Sequence, residues 1–379
     1  TSTVGGDLVL TSSVGSITDS GSSTEARMAA FSTLADNEDI TLSSTVITGA
    51  AGFTTFGTDG NVAFNNLANA IVLGDSDVRG SFGVTSSAGG ITDSGSLTLR
   101  GTSNFNAGAN VITLDTVTND FVGSVTITSG SNVTIVDANA IDFDTSVTSG
   151  TLSVTADGDI TDSGALTIAG TTTLAAGSGN DITLDTATGD FGGSVTITNG
   201  EDVTLSDENS IDLAASTISG NLSVTATIGS SGSITDSGVV SVGGTASFET
   251  TTDNDDIILD TLAVTGSIDV TTTGGTGDVT LVNATGIDLA TSSVSGDLTV
   301  TATTGNITDS GVVTVTGQDA TFTTSALQAD IILDSLAVSS TGDIDVNTLG
   351  TDGNVTIVNV DDINLTTSTV GGDLACLGP

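Results

Sequence analysis

Five Asp-Ser-Gly triplets are the residues of this chain that most resemble the start of a reactive site. They stand in the pentapeptide Ile-Thr-Asp-Ser-Gly, at Ile17, Ile91, Ile160, Ile234 and Ile307. Each sets a carboxylate, a hydroxyl and a glycine side by side at the end of a short hydrophobic strand. Such a group can begin a hydrolytic site, a cation loop or a tight corner. Composition weighs against the first. There is no His and no Lys, and the basic residues are Arg27, Arg79 and Arg100 alone. A serine hydroxyl therefore has no imidazole or amine to activate it. Two carboxylates can suffice for glycoside hydrolysis, but a catalytic site is a singular constellation, and these aspartates recur with a repeat. The chain is expected not to be an enzyme.

In neighbouring strands a Leu stands two residues after the equivalent Ile, as at Leu42, Leu114, Leu184 and Leu259. Here Asp19, Asp93, Asp162, Asp236 and Asp309 take that place. An unpartnered Asp pointing into an apolar interior costs several kcal/mol. The expectation is that the chain leaves the strand one residue early and turns. The carboxylate would then accept the N–H two residues on, and Gly21, Gly95, Gly164, Gly238 and Gly311 would complete the corner at positive φ. On that reading Asp162→Asn is nearly neutral and Gly164→Val damaging. The cation reading falls on other residues. Asp36, Glu38 and Asp39, and likewise Asp253, Asp255 and Asp256, crowd oxygen ligands into two equivalent loops. Ca²⁺ suits such ligands and is the one cofactor the sequence suggests. Neither loop matches an EF-hand, and a solvated acidic corner is the simpler alternative.

The elements that carry these residues repeat. The pentapeptide recurs about every 73 residues, dividing the chain into modules 17–90, 91–159, 160–233, 234–306 and 307–379, with 1–16 as the end of a preceding one. A second anchor of the type Asp-Ile-Thr-Leu falls at Ile40, Ile112, Ile182, Ile257 and Ile331. A third, Ile-Asp-Leu or similar, falls at Ile71, Ile141, Ile211, Ile287 and Ile363. Together the anchors average about 25 residues apart, so each module reads as three coils of roughly 30, 20 and 23 residues. Short runs alternating at period two, broken by Gly, Asn, Asp and Ser, are strand and turn signals. Only residues 24–34 carry helix-prone types, and Phe31 keeps the spacing of Phe105 and Phe248 from their anchors. The fold class is therefore all-β: one continuous β-solenoid (parallel β-helix) over 1–379, of about 15 coils. A string of small β-sandwiches is the competing architecture, but a sandwich wants a bulkier centre than a chain without Trp or Tyr supplies.

Charge limits the partners. Against 46 acidic residues stand three basic ones, a net −43, which excludes nucleic-acid binding through phosphates. No apolar run approaches the length of a membrane span, so no membrane insertion is expected. Cys376 is the single cysteine. The opening Thr-Ser-Thr-Val-Gly-Gly-Asp-Leu returns at 367–374, and the expected partners are further repeats or other copies of the chain, end to end or side by side.

The run GNLSVTATIGSSGSITDSGVVSVGGTASF at 220–248 resembles the repeats of filamentous haemagglutinin-type adhesins. That resemblance implies a right-handed parallel β-helix, secretion to the bacterial cell surface, and work as a stalk, with a host-cell or surface ligand as a further partner. A self-assembling protein of a sheath, surface layer or filament is the alternative role.

Overall fold

A computed structural model describes residues 2–19, 24–67, 69–227, 232–317, 319–339 and 341–378. It forms two compact units, Thr1–Thr186 and Ala187–Pro379. Each is a parallel β-solenoid, and together they make about 17 turns without a helix among the described residues. Residues 24–34 follow suit, with strands at Thr24–Ala26 and Ala29–Asp36.

The strands form because their alternation has an inside to point to. In the first unit Ile91, Ile112, Val133 and Leu152 lie over one another in one sheet, each at most 2% exposed. Ile141, Ile160 and Ile182 do the same in the facing sheet. Burying each such side chain contributes about 1.5–3 kcal/mol, while Thr113, Thr134 and Ser153 take the outward parity. Successive turns hydrogen-bond to one another, so the strand edges between them are satisfied within the stack. In the first unit the tube also holds a file of rings: Phe31, Phe53, Phe82, Phe105 and Phe121 touch in sequence at 5.6–6.2 Å between centroids. Phe248 and Phe322 are equally buried in the second.

The turn count differs from three per module, and the difference has consequences. Between one pentapeptide and the next lie seven main strands. From Ile91 these are Ile91–Asp93, Ser103–Asn106, Ile112–Leu114, Val125–Ser129, Val133–Asp137, Ile141–Phe143 and Leu152–Ala156. They alternate between the two sheets: the first, third, fifth and seventh pair among themselves, as do the second, fourth and sixth. Seven half-turns make three and a half turns, so the next pentapeptide, at Ile160, pairs in the sheet opposite to that of Ile91. Ile234 and Ile307 are opposed in the same way in the second unit. Rungs follow at 21, 21 and 19 residues between Ile91, Ile112, Val133 and Leu152, rather than about 25. The long interval from Ile112 to Ile141 is not one coil: Ile112 stacks on Val133, and Ile141 lies across the tube. The Val-Thr-Ile and Leu-Ser-Val segments, lacking the Ile-x-Leu signature, are rungs in their own right.

Candidate functional site

Each residue of the pentapeptide is committed to a neighbouring turn. The Ile fills the interior. The Thr hydroxyl donates backward, Thr92 to Ile71 O at 3.3 Å and Thr161 to Ile141 O at 3.4 Å. The Ser N–H does the same, Ser94 to Leu73 O at 2.7 Å and Ser163 to Phe143 O at 2.8 Å. The Asp reaches forward. Its two carboxylate oxygens accept two consecutive backbone N–H groups of the next turn in all five copies. Asp19 takes Ser43 and Ser44 at 3.0 and 2.7 Å, and Asp93 takes Asp115 and Thr116 at 3.0 and 3.2 Å. Asp162 takes Asp185 and Thr186 at 3.0 and 3.4 Å, and Asp236 takes Asp260 and Thr261 at 2.8 and 2.9 Å. Asp309 takes Asp334 and Ser335, both at 2.9 Å. The expected local bond, two residues on, is thus replaced by a clamp between turns. Its receiving half had a sequence signal of its own: Leu-Asp-Thr or Leu-Asp-Ser at Leu114, Leu184, Leu259 and Leu333, with Leu-Ser-Ser at Leu42.

The glycines serve the same stacking. Gly95, Gly164, Gly238 and Gly311 do not have positive φ, which corrects the expected reason for their presence; Gly21 lies outside the described residues. A Cβ on Gly164 would run into Thr145 N and come within 2.6 Å of Asp144 Oδ1; on Gly311 it would meet Thr291 N. Only a glycine lets the preceding turn's backbone come so near.

Environment splits the carboxylates. Burial alone would raise Asp19, but bonds from Ser43, Ser44 and Thr45 outweigh it and hold the group down at about 2. For Asp162 and Asp309 burial prevails over the same kind of bond and the pKa rises. The clamp geometry changes what Asp162→Asn should do. An amide offers one acceptor, and its NH₂ would face an N–H left without a partner. A loss of about 1–3 kcal/mol is expected, read from the urea midpoint; a neutral outcome would restore the local-turn reading.

A second set of carboxylates escaped notice in the sequence. Asp137 and Asp207 are 1% and 0% exposed. Asp137 accepts Phe121 N at 3.1 Å and Asn139 N at 2.8 Å, and Asp207 accepts Phe191 N at 2.8 Å and Asn209 N at 2.6 Å. Burial pushes Asp137 up to about 6 and raises Asp207. Asn283 and Asn359 hold the equivalent place elsewhere, each pairing with both N–H and C=O of one strand residue, Val264 or Val338. The amide is used where a strand offers a donor and an acceptor, the carboxylate where two donors converge. The signal was present: Asp137 follows Val133 and Ile135 at period two, so it must point inward.

The calcium candidates are not gathered. Asn37 and Asn254 turn these loops with φ of 61° and 68°. Glu38 accepts from Ser16 Oγ at 2.7 Å, Asp39 from Asn61 N at 2.9 Å, and Asp256 from Asp278 N at 2.9 Å. Asp36 and Asp253 lie outward, whereas Asp255 is buried. Among the described residues no three His, Cys, Asp or Glu side chains come together as a metal would need.

A solenoid whose recurring polar motif is spent on holding turn to turn is a structural repeat protein. The comparisons agree at that level. The family described as "Repeats of unknown function (DUF5649)" matches residues 59–128, 130–198, 200–271 and 276–347, and the chain belongs to it. The first of these matches takes in seven main strands of this chain, from Val62–Asn66 to all but the last residue of Val125–Ser129, so one matched repeat here covers three and a half turns. No curated protein and no solved structure matches the chain. Nothing ties it to filamentous haemagglutinin-type adhesins specifically; the solenoid that this resemblance implied is what stands.

Proposed function

We propose that this chain is the load-carrying part of an extracellular bacterial surface protein, a stalk or fibre segment that supplies reach and stiffness. The observation that carries the reading is the clamp: five aspartates, each bonded to two backbone N–H groups of the following turn, so that the recurring motif holds turn to turn. On this reading the chain catalyses nothing and needs no cofactor. Its partners are further repeats and other copies of itself, and its acidic surface keeps the stacks soluble.

Location is the test. Antibodies raised against residues 1–379 are expected to label the outside of intact cells that make the protein, at a distance from the envelope in immunogold sections. Label confined to the cytoplasm would overturn the proposal. Ordered lattices in place of isolated projections would favour a sheath or surface layer over a stalk.

A further inference from the structure

Two buried carboxyls stand where three other modules place an amide. Asn66, Asn283 and Asn359 end the same inward-facing run, in Val62–Asn66, Val279–Asn283 and Val355–Asn359, as Asp137 and Asp207 do in Val133–Asp137 and Val203–Asp207. All five are buried. The amides bond there without charge: Asn66 donates to Ile47 O at 3.0 Å, and Asn283 and Asn359 pair with Val264 and Val338. The place can thus be filled by a group that does not titrate.

In the second and third modules the carboxyl closes a junction. Asp137 ties the end of its strand to Phe121 N, on the two-residue strand Asp120–Phe121, and to Asn139 N at the corner that follows. Asp207 does the same for Phe191, on Asp190–Phe191, and for Asn209. Strands so short carry few backbone bonds of their own, and each holds a buried ring. Nothing nearby offsets a negative charge at either carboxyl. Asp120 bears on Asp137, and Asp190 and Glu208 bear on Asp207. On the rungs either side of Asp137, Asp115 and Asp157 face solvent, and the strand paired with Asp207, Leu222–Ala226, has no charged residue. The chain has no Lys or His, and its last basic residue, Arg100, lies 3.5 Å from Asp77. An ionised carboxyl here gains most from water, which reaches it only when the junction opens.

We propose that Asp137 and Asp207 are two pH-sensitive latches: protonated, each closes the junction of its strand, its corner and the short Phe121 or Phe191 strand; ionised, each releases that junction to local opening. These two junctions tighten in acid and loosen towards neutral pH, while the same place in the three Asn modules does not respond. Burial sets the sign, because it favours the neutral acid in the folded state. It lifts Asp137 to about 6 and Asp207 in the same direction. The closed junction is favoured fully below the unfolded value near 3.8 and loses that support as pH rises through the folded one. The latches belong to the fold and do not depend on where the protein works.

The test is hydrogen exchange of the full chain, read by mass spectrometry at about pH 5 and about pH 7.5, with labelling times corrected for the intrinsic pH dependence of exchange. About 0.5 M NaCl suppresses general repulsion in a chain of net −43. Segment 119–123 is expected to lose about tenfold in protection at the higher pH, and segment 189–193 to lose protection likewise. Segments 262–266 and 336–340, where Asn283 and Asn359 bond Val264 N and Val338 N, should show no such step. Asp137→Asn is expected to abolish the step at 119–123 and leave that at 189–193, and Asp207→Asn to do the converse. The readout is the dependence on pH, so a variant that is looser at both values still reports. Should a variant fail to fold, the wild-type comparison decides alone. Steps of equal size in all four segments, no step at either latch, or a step that survives replacement of its own aspartate would each overturn the proposal.

Discussion

Gly164→Val is expected to cost about 4 kcal/mol or to prevent folding of its unit, and Gly164→Ala to do most of the same damage. The added Cβ meets the backbone at Thr145, which cannot swing aside, and the carboxylate of Asp144, which accepts Thr145 N at 2.7 Å. The turns must part locally, straining the bonds of Ser163 and Gly164 to Phe143 O as well as the packing below. Overpacking alone costs about 1–3 kcal/mol, and each strained bond adds about 1. Gly179, with nothing within 4 Å of a Cβ, is the control, and Gly179→Val should stay within about 0.5 kcal/mol. Asn separates the two explanations for the glycine. A corner needing positive φ would tolerate Gly164→Asn, whereas close approach of the preceding turn makes Asn as harmful as Ala. Urea denaturation of the four variants gives the answer.

The second large effect is an inverted response to acid. A carboxylate whose folded pKa is raised favours the folded state when protonated. Its contribution is full below the unfolded value near 3.8 and is lost as pH rises through the folded value. For Asp137, held at about 6 by burial, lowering the pH from 7 to 4 should add about 2 kcal/mol. Asp207, Asp162 and Asp309 shift in the same direction. Asp19 opposes them, because its pKa of about 2 makes its contribution present above 3.8 and lost below. Stability should therefore climb between pH 7 and 4 and decline towards pH 2. Unfolding by urea in about 0.5 M NaCl, where a Debye length near 4 Å suppresses general repulsion, isolates these local terms. A curve that is flat or falls from pH 7 to 4 would contradict the assignment.

Much of this was legible in the residues. Period-two alternation and the recurrence of Ile17, Ile91, Ile160, Ile234 and Ile307 point to stacked strands, and the absence of His and Lys removes most site chemistry. The turn count was not legible from anchors alone, because Val125, Val133 and Leu152 start rungs without an Ile-x-Leu signature. The partner of Asp162 was missed for a related reason. Asx-turn habits are local, whereas a solenoid places Asp185 and Thr186 beside it from more than twenty residues away. Two of the arginines follow the same rule: Arg79 and Arg100 look scattered until the register of Val78 on Leu99 brings them together.

Seven half-turns per module set every other placement in the molecule, and one cross-linking experiment tests them directly. Three double-cysteine chains are compared, each also carrying Cys376→Ser, which removes the single native thiol. Thr113 pairs with Thr134, and Asp142 pairs with Thr161 in the other sheet. Neighbouring parallel strands lie about 4.8 Å apart, within the Cα range a disulfide accepts. Thr113→Cys/Thr134→Cys and Asp142→Cys/Thr161→Cys should therefore oxidise readily, while Thr113→Cys/Asp142→Cys should not. Three coils per module would stack Ile112 on Ile141 and reverse the first and last results. Ready disulfide formation in the Thr113→Cys/Asp142→Cys chain, with none in the Thr113→Cys/Thr134→Cys chain, would contradict the half-turn architecture.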